Sequence, residues 1–326
     1  MKKIYSELKK KLENKKILIL GGSGYIGKGF QKILKKFNCH VLITGNKNIK
    51  IKKNENNFIY KKIDLTNNKK LKFFENKIYD IIFYCATIAD SKKQNIKKNN
   101  QINYILNNQT LRFFLNLAYK NKSKFIYLSS VRVFANSNKE LFENDKIKKK
   151  SFKNFSYVNC KIQGETLCKK LINKSKNKNI HIVRLGHVFG DIDFLSRGRI
   201  VVDFIVQAVK EKKIIITGGK KSFKNFSYID DIILKLLFIG LFGQNKIYHL
   251  SGKNLKHSNL LKKIKKYLPG VKGVFHNPDF IEGYKLSSSI FEKNFKKIFN
   301  FKYKNNFDIG LKKTINYIKK NKKLLN

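Results

Sequence analysis

Proline is nearly missing from this chain: Pro269 and Pro278 are the two in 326 residues. That argues against proline-rich linkers and leaves few marked boundaries between segments. Cysteine is also scarce. Cys39, Cys85, Cys160 and Cys168 form no CxxC pair and no metal-ligand cluster, so neither a disulfide framework nor a metal site is expected. They fit small core residues in a reducing cytoplasm. Long apolar runs are absent. The most apolar stretch, Ile232 to Phe242, is broken by Lys235 and is too short to span a bilayer. Met1 to Lys16 is charged and amphipathic and lacks the apolar core of a signal peptide. A soluble, cytoplasmic protein with no membrane partner is the expectation. Acidic residues are few: 21 against 72 basic ones, a formal charge of +51. Such a charge suits nucleic acid, anionic membranes or phosphorylated ligands. Here the lysines are spread almost evenly along the chain, with no helix-turn-helix or finger spacing and no aromatic single-strand platform. No nucleic-acid partner is expected, although a positive surface would still attract a nucleotide diphosphate.

What is present begins with a length of 326 residues, enough for one large domain or two intimate ones, and a 42% hydrophobic content that supports a substantial core. Lys16-Ile17-Leu18-Ile19-Leu20 reads as a buried parallel strand. It runs into Gly21-Gly22-Ser23-Gly24-Tyr25-Ile26-Gly27, with a helix starting near Tyr25. Gly21, Gly24 and Gly27 stand three apart. The first suits a tight turn, the second a close backbone approach to a pyrophosphate, and the third the packing of helix on strand. The helix N-terminus then faces the phosphate charge.

Strands and helices alternate from there. His40 to Thr44 is a second strand ending at Gly45-Asn46-Lys47. Dinucleotide folds place an acid there for the ribose hydroxyls. Here Gly45 would leave room and Lys47 would supply a cation, which favours the 2′-phosphate of NADP over NAD. Phe58-Ile59-Tyr60 leads to Asp64-Leu65-Thr66, where Asp64 suits either an adenine amine or a helix N-cap. Asp80 to Thr87 is a fourth strand, ending in small residues that include Ala86, as needed where backbone passes close to a cofactor. Asn107 to Tyr119 reads as a helix. Lys124 to Leu128 is a fifth strand that delivers Ser129 and Ser130 to the edge where parallel sheets bind ligands.

Tyr157 and Lys161 open the next helix, one turn apart on one face. A phenol titrates near pH ~10, so using it as a base near neutrality means a shift of roughly three units, about 4 kcal/mol. An ammonium and a positive nicotinamide ring can supply that shift. Ser130 would hold the substrate oxygen for the phenol.

A glycine-triple loop, a serine-bearing strand end and a YxxxK helix, in that order and spacing, resemble the extended short-chain dehydrogenase/reductases. The resemblance is to the NAD-dependent epimerase/dehydratase group that acts on nucleotide sugars, and it covers nearly the whole chain. Further matches are Asp64-Leu65-Thr66, Asn107, Ser129 to Phe134, Arg184-Leu185-Gly186-His187-Val188-Phe189-Gly190, and Phe226 to Asp231. The resemblance implies a catalytic set of Ser130, Tyr157 and Lys161. It also implies a cofactor site along Gly21, Gly24, Tyr25, Ile26, Gly27, Asp64, Leu65, Ala86, Asn107 and Lys161. The implied fold is α/β, a doubly wound parallel (Rossmann) sheet with a smaller, discontinuous C-terminal substrate domain. Residues 1–185 would form the dinucleotide-binding part, with a late strand at 246–251 returning to it, and 186–326 mainly the substrate region.

On the substrate side, Gly198 to Ala208 resembles the substrate-domain helix of UDP-glucuronate decarboxylases and brings Arg199 with it. Lys224 stands where the family usually places an arginine on the substrate diphosphate, keeping the charge but losing the bidentate fork. His187 takes a position often held by asparagine facing the substrate, and a packing histidine is an equal account. Asp230 or Asp231 reads as the N-cap of the helix from Ile232. The implied activity is epimerisation of a nucleotide sugar, with keto-sugar reduction next. A dehydratase or decarboxylase, and a non-catalytic dinucleotide sensor or scaffold, are the further alternatives. Dehydratases and decarboxylases of the family carry a carboxylate where this chain has Arg132, which cannot exchange a proton usefully. Elimination is therefore not expected unless Asp191 or Asp193 is recruited. The resemblance implies a homodimer through the helices 107–119 and 157–172, with Phe113, Phe114, Leu167 and Leu171 as available contacts.

Overall fold

The computed structural model describes residues 2–47, 57–88, 96–134, 139–147, 157–175, 179–192, 198–279 and 283–325. Helix α1 (Lys2–Leu12) leads to β1 (Lys16–Leu20), α2 (Tyr25–Leu34), β2 (His40–Gly45), β3 (Phe58–Lys62), the short α3 (Asn68–Leu71) and β4 (Ile81–Tyr84). Then come α4 (Ile96–Ile105), a π-turn over Leu106–Thr110, α5 (Leu111–Lys120), β5 (Lys124–Ser130), β6 (Glu140–Leu141), α6 (Tyr157–Ser175), β7 (Ile180–Leu185) and β8 (His187–Phe189). The rest comprises α7 (Ile200–Glu211), β9 (Lys213–Ile216), β10 (Phe223–Tyr228), α8 (Ile229–Phe242), β11 (Ile247–Leu250), β12 (Lys253–Lys256), α9 (His257–Tyr267), β13 (Lys272–Phe275), β14 (Lys285–Leu286), α10 (Ser289–Phe299) and α11 (Phe307–Lys320).

Seven strands form one parallel sheet in the order β11-β7-β5-β4-β1-β2-β3. This is the Rossmann-like arrangement. Alternation along each strand divides the core in two. Ile17 and Ile19 of β1, Ile81 and Phe83 of β4, and Ile126 and Leu128 of β5 enter one apolar cluster with α1, α2 and α8. Their neighbours Leu18, Leu20, Ile82, Tyr84, Phe125 and Tyr127 enter the other, with α5 and α6. Strands apolar on both faces need helices on both faces, and this sequence supplies them. The order reverses between β1 and β4, which opens a crevice at the carboxyl ends of those strands.

The second half adds three small sheets. One has the order β12-β10-β8; the others are the parallel pairs β13-β9 and β14-β6. Helix α8 is apolar all round because it is buried all round, packed against α1, α2 and β5. Its one buried lysine, Lys235, donates to Ser251 O and Asn305 Oδ1, each at 2.7 Å.

Local readings are corrected at three places. The apolar helix α8 starts at Ile229 rather than Ile232, and Tyr228 sits at its N-cap without a side-chain bond to the helix backbone. Asp230 and Asp231 therefore lie in the first turn and bond elsewhere. Asp230 pairs with Lys32 of α2 at 2.9 Å, while Asp231 accepts from the Tyr303 hydroxyl and the Asn306 backbone. Asp64 is not a helix N-cap either, since Asn67 caps α3 by accepting from Lys69 N. Asp64 Oδ1 instead accepts from the backbone and hydroxyl of Thr66, at 3.0 and 2.7 Å. Finally, Phe114 is fully buried, edge-on to Phe74 at 5.0 Å, and is not available to a partner. No helix among the described residues is long and apolar enough to cross a membrane.

Candidate active site

The glycine loop turns at the sheet crevice. Gly21 has φ +84°, a region that favours glycine, and a Cβ there would meet Ala86 Cα at 2.7 Å. The turn after β1 and the end of β4 thus touch backbone to backbone. Gly27 lets α2 lie against the loop, since a Cβ would come within 2.4 Å of Gly22 O. Gly24 is the N-cap of α2 with no side-chain bond, and the first turn carries no acid. The result is a small-residue cradle at a helix N-terminus, chemistry that suits a pyrophosphate. Ile26 packs against the core. Leu65 is buried, and its carbonyl accepts from Thr110 Oγ1 at 2.8 Å, tying the end of β3 to the π-turn.

Gly45 does not leave room. A Cβ there would lie 2.4 Å from Ser23 Oγ and 3.0 Å from the Tyr60 hydroxyl, because both side chains already fill that space. The Tyr60 hydroxyl also donates to Lys47 O. Lys47 itself is exposed just beyond β2.

Ser130 ends β5, and its hydroxyl accepts from Arg132 N at 3.2 Å. Tyr157 is the first residue of α6, and the Lys161 ammonium lies 6.0 Å from the centre of its ring. Lys161 is 1% exposed and donates to Leu128 O at 2.8 Å and to Asn107 Oδ1 at 3.3 Å. Burial pulls its pKa down to about 8. Asn107 sits in the π-turn that separates α4 from α5, where a single helix is expected from 107 to 119. Its amide donates to Asn103 O at 2.8 Å while its oxygen also accepts from the Tyr127 hydroxyl at 2.7 Å. Asn103 in turn clasps the end of β4, accepting from Ile88 N and donating to Ile88 O. One chain of polar contacts therefore runs from the β4 end to Lys161.

A second buried network holds α6 in register. Glu165 is one turn beyond Lys161. It accepts from Ser129 Oγ at 2.7 Å and from Arg184 Nε and Nη2 at 2.9 and 2.7 Å, a two-pronged pair with both partners 1% exposed. Burial works to raise the Glu165 carboxyl, but the bonds and charge of Arg184, then the Ser129 hydroxyl, hold it below the usual carboxylate value. The Arg184 guanidinium stacks 4.7 Å from the Phe134 ring centre. Sequence reasoning missed Asn103, Tyr127 and Glu165. The Tyr157, Lys161, Glu165 spacing was the available signal, since all three share one helix face.

Across the cleft, His187 on β8 stacks on Tyr284 at 6.3 Å. Burial, then the charges of Lys224 and Arg132, pull its pKa down to about 3, so the ring is neutral near pH 7. Arg199 and Tyr25 pack on each other: the guanidinium lies 3.8 Å over the ring, and the Tyr25 hydroxyl donates to Gly190 O. Asp191 is held by Lys32 at 3.0 Å and by the Tyr228 hydroxyl at 2.8 Å. Asp193 lies outside the described residues. No group of three or more His, Cys, Asp or Glu that could hold a metal is found among the described residues.

Comparison with known proteins agrees with this architecture. The family model for the NAD dependent epimerase/dehydratase family matches residues 17–249. A dTDP-D-glucose 4,6-dehydratase of Dictyostelium discoideum is 30% identical over 271 residues, 75% of this chain. The chain spans 60% of that relative's length. An epimerase from Methanothermobacter thermautotrophicus is 20% identical, with a TM-score of 0.80 over 99% of this chain and 97% of its own. The dTDP-glucose 4,6-dehydratase of Bacillus anthracis, solved with NAD, is 15% identical, with a TM-score of 0.76 over 95% and 99% of the two chains. Those two share the fold. With a family model covering most of its length, the chain belongs to the NAD dependent epimerase/dehydratase family.

Proposed function

We propose that this protein is an enzyme that epimerises a nucleoside-diphosphate sugar, with Tyr157 as the acid/base. The carrying observation is the placement of Tyr157 at the start of α6, one turn before a buried Lys161 whose ammonium is held by Leu128 O and Asn107. A cation fixed beside a phenol favours the phenolate, and a phenolate can take the proton of a sugar hydroxyl. Ser130, at the end of β5, orients that hydroxyl. The glycine cradle with Gly21, Gly24 and Gly27 would hold a dinucleotide pyrophosphate, backed by Tyr25, Ile26 and Ala86. Asp64 and Leu65 would flank the adenine, with Asn107 and Lys161 nearest the nicotinamide end. Bound NAD or NADP would supply reversible two-electron oxidation of the sugar carbon. Lys47, exposed just beyond the end of β2, supports NADP. Lys224, His187 and Arg199 are assigned to the substrate side.

Arg132 speaks against the reaction of the Dictyostelium relative, because dehydration needs a proton-exchanging group beside the sugar and a guanidinium stays protonated. Neither dTDP-glucose nor UDP-glucuronate should lose water or carbon dioxide when incubated with the protein. Reduction of a keto-sugar uses the same tyrosine and is the second reading. Replacing Tyr157 by Phe keeps the ring and removes the proton carrier. Turnover on a panel of nucleotide sugars should fall by about 10²–10⁴-fold with dinucleotide affinity retained. A variant with more than about a tenth of the wild-type rate would refute the assignment.

A further inference from the structure

We propose that the amino-terminal edge of the parallel sheet carries a second ligand site, one that takes the phosphate chain of a small polyphosphate. The site goes beyond the proposed reaction and does not depend on it. A cavity of about 1240 Å³ opens there between the first residue of β5, the turn from α8 to β11, and one side of α10. Strand β5 has Lys124 at its start and Ser130 at its end. At about 3.3 Å per residue the two lie about 20 Å apart, so the cavity stands clear of the site built around Ser130.

Lys124, Lys293, Lys296 and Lys297 line the cavity, and among the described residues no carboxylate does. Three of the four come from α10, where positions 293, 296, 297 and 300 fall on one side of the helix. Phe291, Phe295 and Phe299 take the other side and are buried. Lys293 stands one turn before both Lys296 and Lys297, a spacing at which like charges on a helix repel. Among the described residues none of these three lysines forms an ion pair. Two acids in the vicinity are engaged elsewhere. Glu292 accepts from the Ser288 hydroxyl at 3.1 Å, and Asp80, next to the Ile81 that pairs with Lys124, is held by Lys15 at 2.9 Å. Gly243 and Asn300, the C-caps of α8 and α10, also line the cavity. Each helix end is equivalent to about half a negative charge, so the four lysines still leave about three positive charges.

The floor of the cavity is rigid. The Tyr248 hydroxyl accepts from Gln244 N at 2.9 Å, from Asn245 N at 3.0 Å and from the Asn294 amide at 2.9 Å. The same amide donates to Asn245 Oδ1 at 2.7 Å, and buried His181 donates through Nδ1 to Asn245 O at 2.8 Å. Half-buried Lys124 donates to Gly243 O at 3.2 Å. Burial pulls its pKa below the ordinary lysine value, and a bound anion would offset that penalty. Among the described residues of the lining there is no aromatic ring on which a base could stack. Recognition therefore falls to phosphate oxygens, and a chain of phosphates matches cations that stand on two walls, Lys124 on one and the α10 lysines on the other.

Tripolyphosphate, pyrophosphate, phosphate and ATP are titrated calorimetrically into the full chain, at about 0.15 M salt to screen diffuse attraction to the basic surface. Saturating NADP is present throughout to occupy the glycine cradle. Tripolyphosphate should bind more tightly than pyrophosphate and phosphate most weakly, while ATP should match tripolyphosphate because its base finds no partner. The triple variant Lys293→Gln/Lys296→Gln/Lys297→Gln should weaken tripolyphosphate binding about 10- to 100-fold, three exposed contacts at roughly two- to fivefold each. All three side chains are exposed, so the fold should survive the change. The control Lys312→Gln/Lys313→Gln/Lys319→Gln removes the same charge from exposed positions of α11 and should leave the affinity near the wild-type value. Equal losses in the two triple variants would assign the binding to net charge and overturn the proposal. Unchanged affinity in the α10 variant, or no preference for tripolyphosphate over phosphate, would overturn it as well. So would a single-stranded oligonucleotide that binds more tightly than tripolyphosphate and is lost in the α10 variant, since the lysines would then belong to a nucleic-acid surface.

Discussion

Replacing Arg184 by Leu should destabilise the protein in a way that depends on pH. In the native structure the guanidinium makes two bonds to Glu165, and both side chains are 1% exposed. The variant leaves a buried carboxylate with the Ser129 hydroxyl at 2.7 Å and Lys169 at 3.6 Å as partners. Removing one member of a buried pair costs about 3–5 kcal/mol. An unfolding entropy of roughly 2.1 cal/mol/K per residue gives about 0.7 kcal/mol/K for a chain of this length, so Tm should fall by about 4–7 °C near pH 7. The sign with pH follows from the carboxyl. In the wild type Glu165 lies below its unfolded value, so its stabilisation is present above about pH 4.5 and is lost as pH drops through the lower folded pKa. Without Arg184, burial dominates and raises that pKa, so the folded variant binds the proton more tightly than the unfolded chain does. The Tm deficit should then shrink as pH falls toward 5. The double variant Glu165→Leu/Arg184→Leu should recover most of the loss, because apolar groups can replace a buried pair at little cost. Scanning calorimetry between pH 5 and 8 measures all three. A deficit under about 1 °C, one independent of pH, or a double variant worse than either single one would refute the reasoning.

Lys161 should impose an alkaline limb near pH 8 on turnover, where its ammonium loses the proton, and a rate profile flat to pH 10 would contradict its role. Because lysine titrates at 10.5 when unfolded, the folded chain binds fewer protons between those values, so stability should rise with pH across the same window. Lys47→Ala should weaken NADP binding about tenfold and leave NAD nearly unchanged, as read by nicotinamide fluorescence, the range expected for one charge-assisted contact. Phe114→Ala should cost about 3–5 kcal/mol through a core cavity, while Phe113, Leu167 and Leu171, half-buried on α5 and α6, are the contacts expected to change if a second copy packs there. Light scattering of the wild type should accordingly give a dimeric mass at micromolar concentration.

Much of the fold is legible in short stretches. Lys16 to Leu20, Asp80 to Thr87 and Lys124 to Leu128 read as strands; the second of them ends at Tyr84 in the structure, and each has its alternate residues in opposite clusters. Helix α10 is not among the expected elements, although Phe291, Phe295 and Phe299 repeat every fourth residue and pack on Phe238 of α8. A repeat of that kind signals one buried helix face, but it lies in a region where lysine and asparagine dilute the pattern.

Spacing determined by itself that Gly21, Gly24 and Gly27 crowd one turn, and that Tyr157, Lys161 and Glu165 share one side of a helix. Those are consequences of 3.6 residues per turn and of side-chain size, and they hold wherever the segment is placed. Partner identity was decided by the tertiary structure. Asp230 reads locally as a cap, yet it pairs with Lys32, 198 residues away in sequence. Gly45 reads as open space, yet Ser23 and Tyr60 fill it. Glu165 has no partner in its own stretch of sequence, and only the docking of β5 and β7 against α6 brings Ser129 and Arg184 to it. A local pattern sets the direction in which a side chain points; what it meets depends on which distant segment has folded against it.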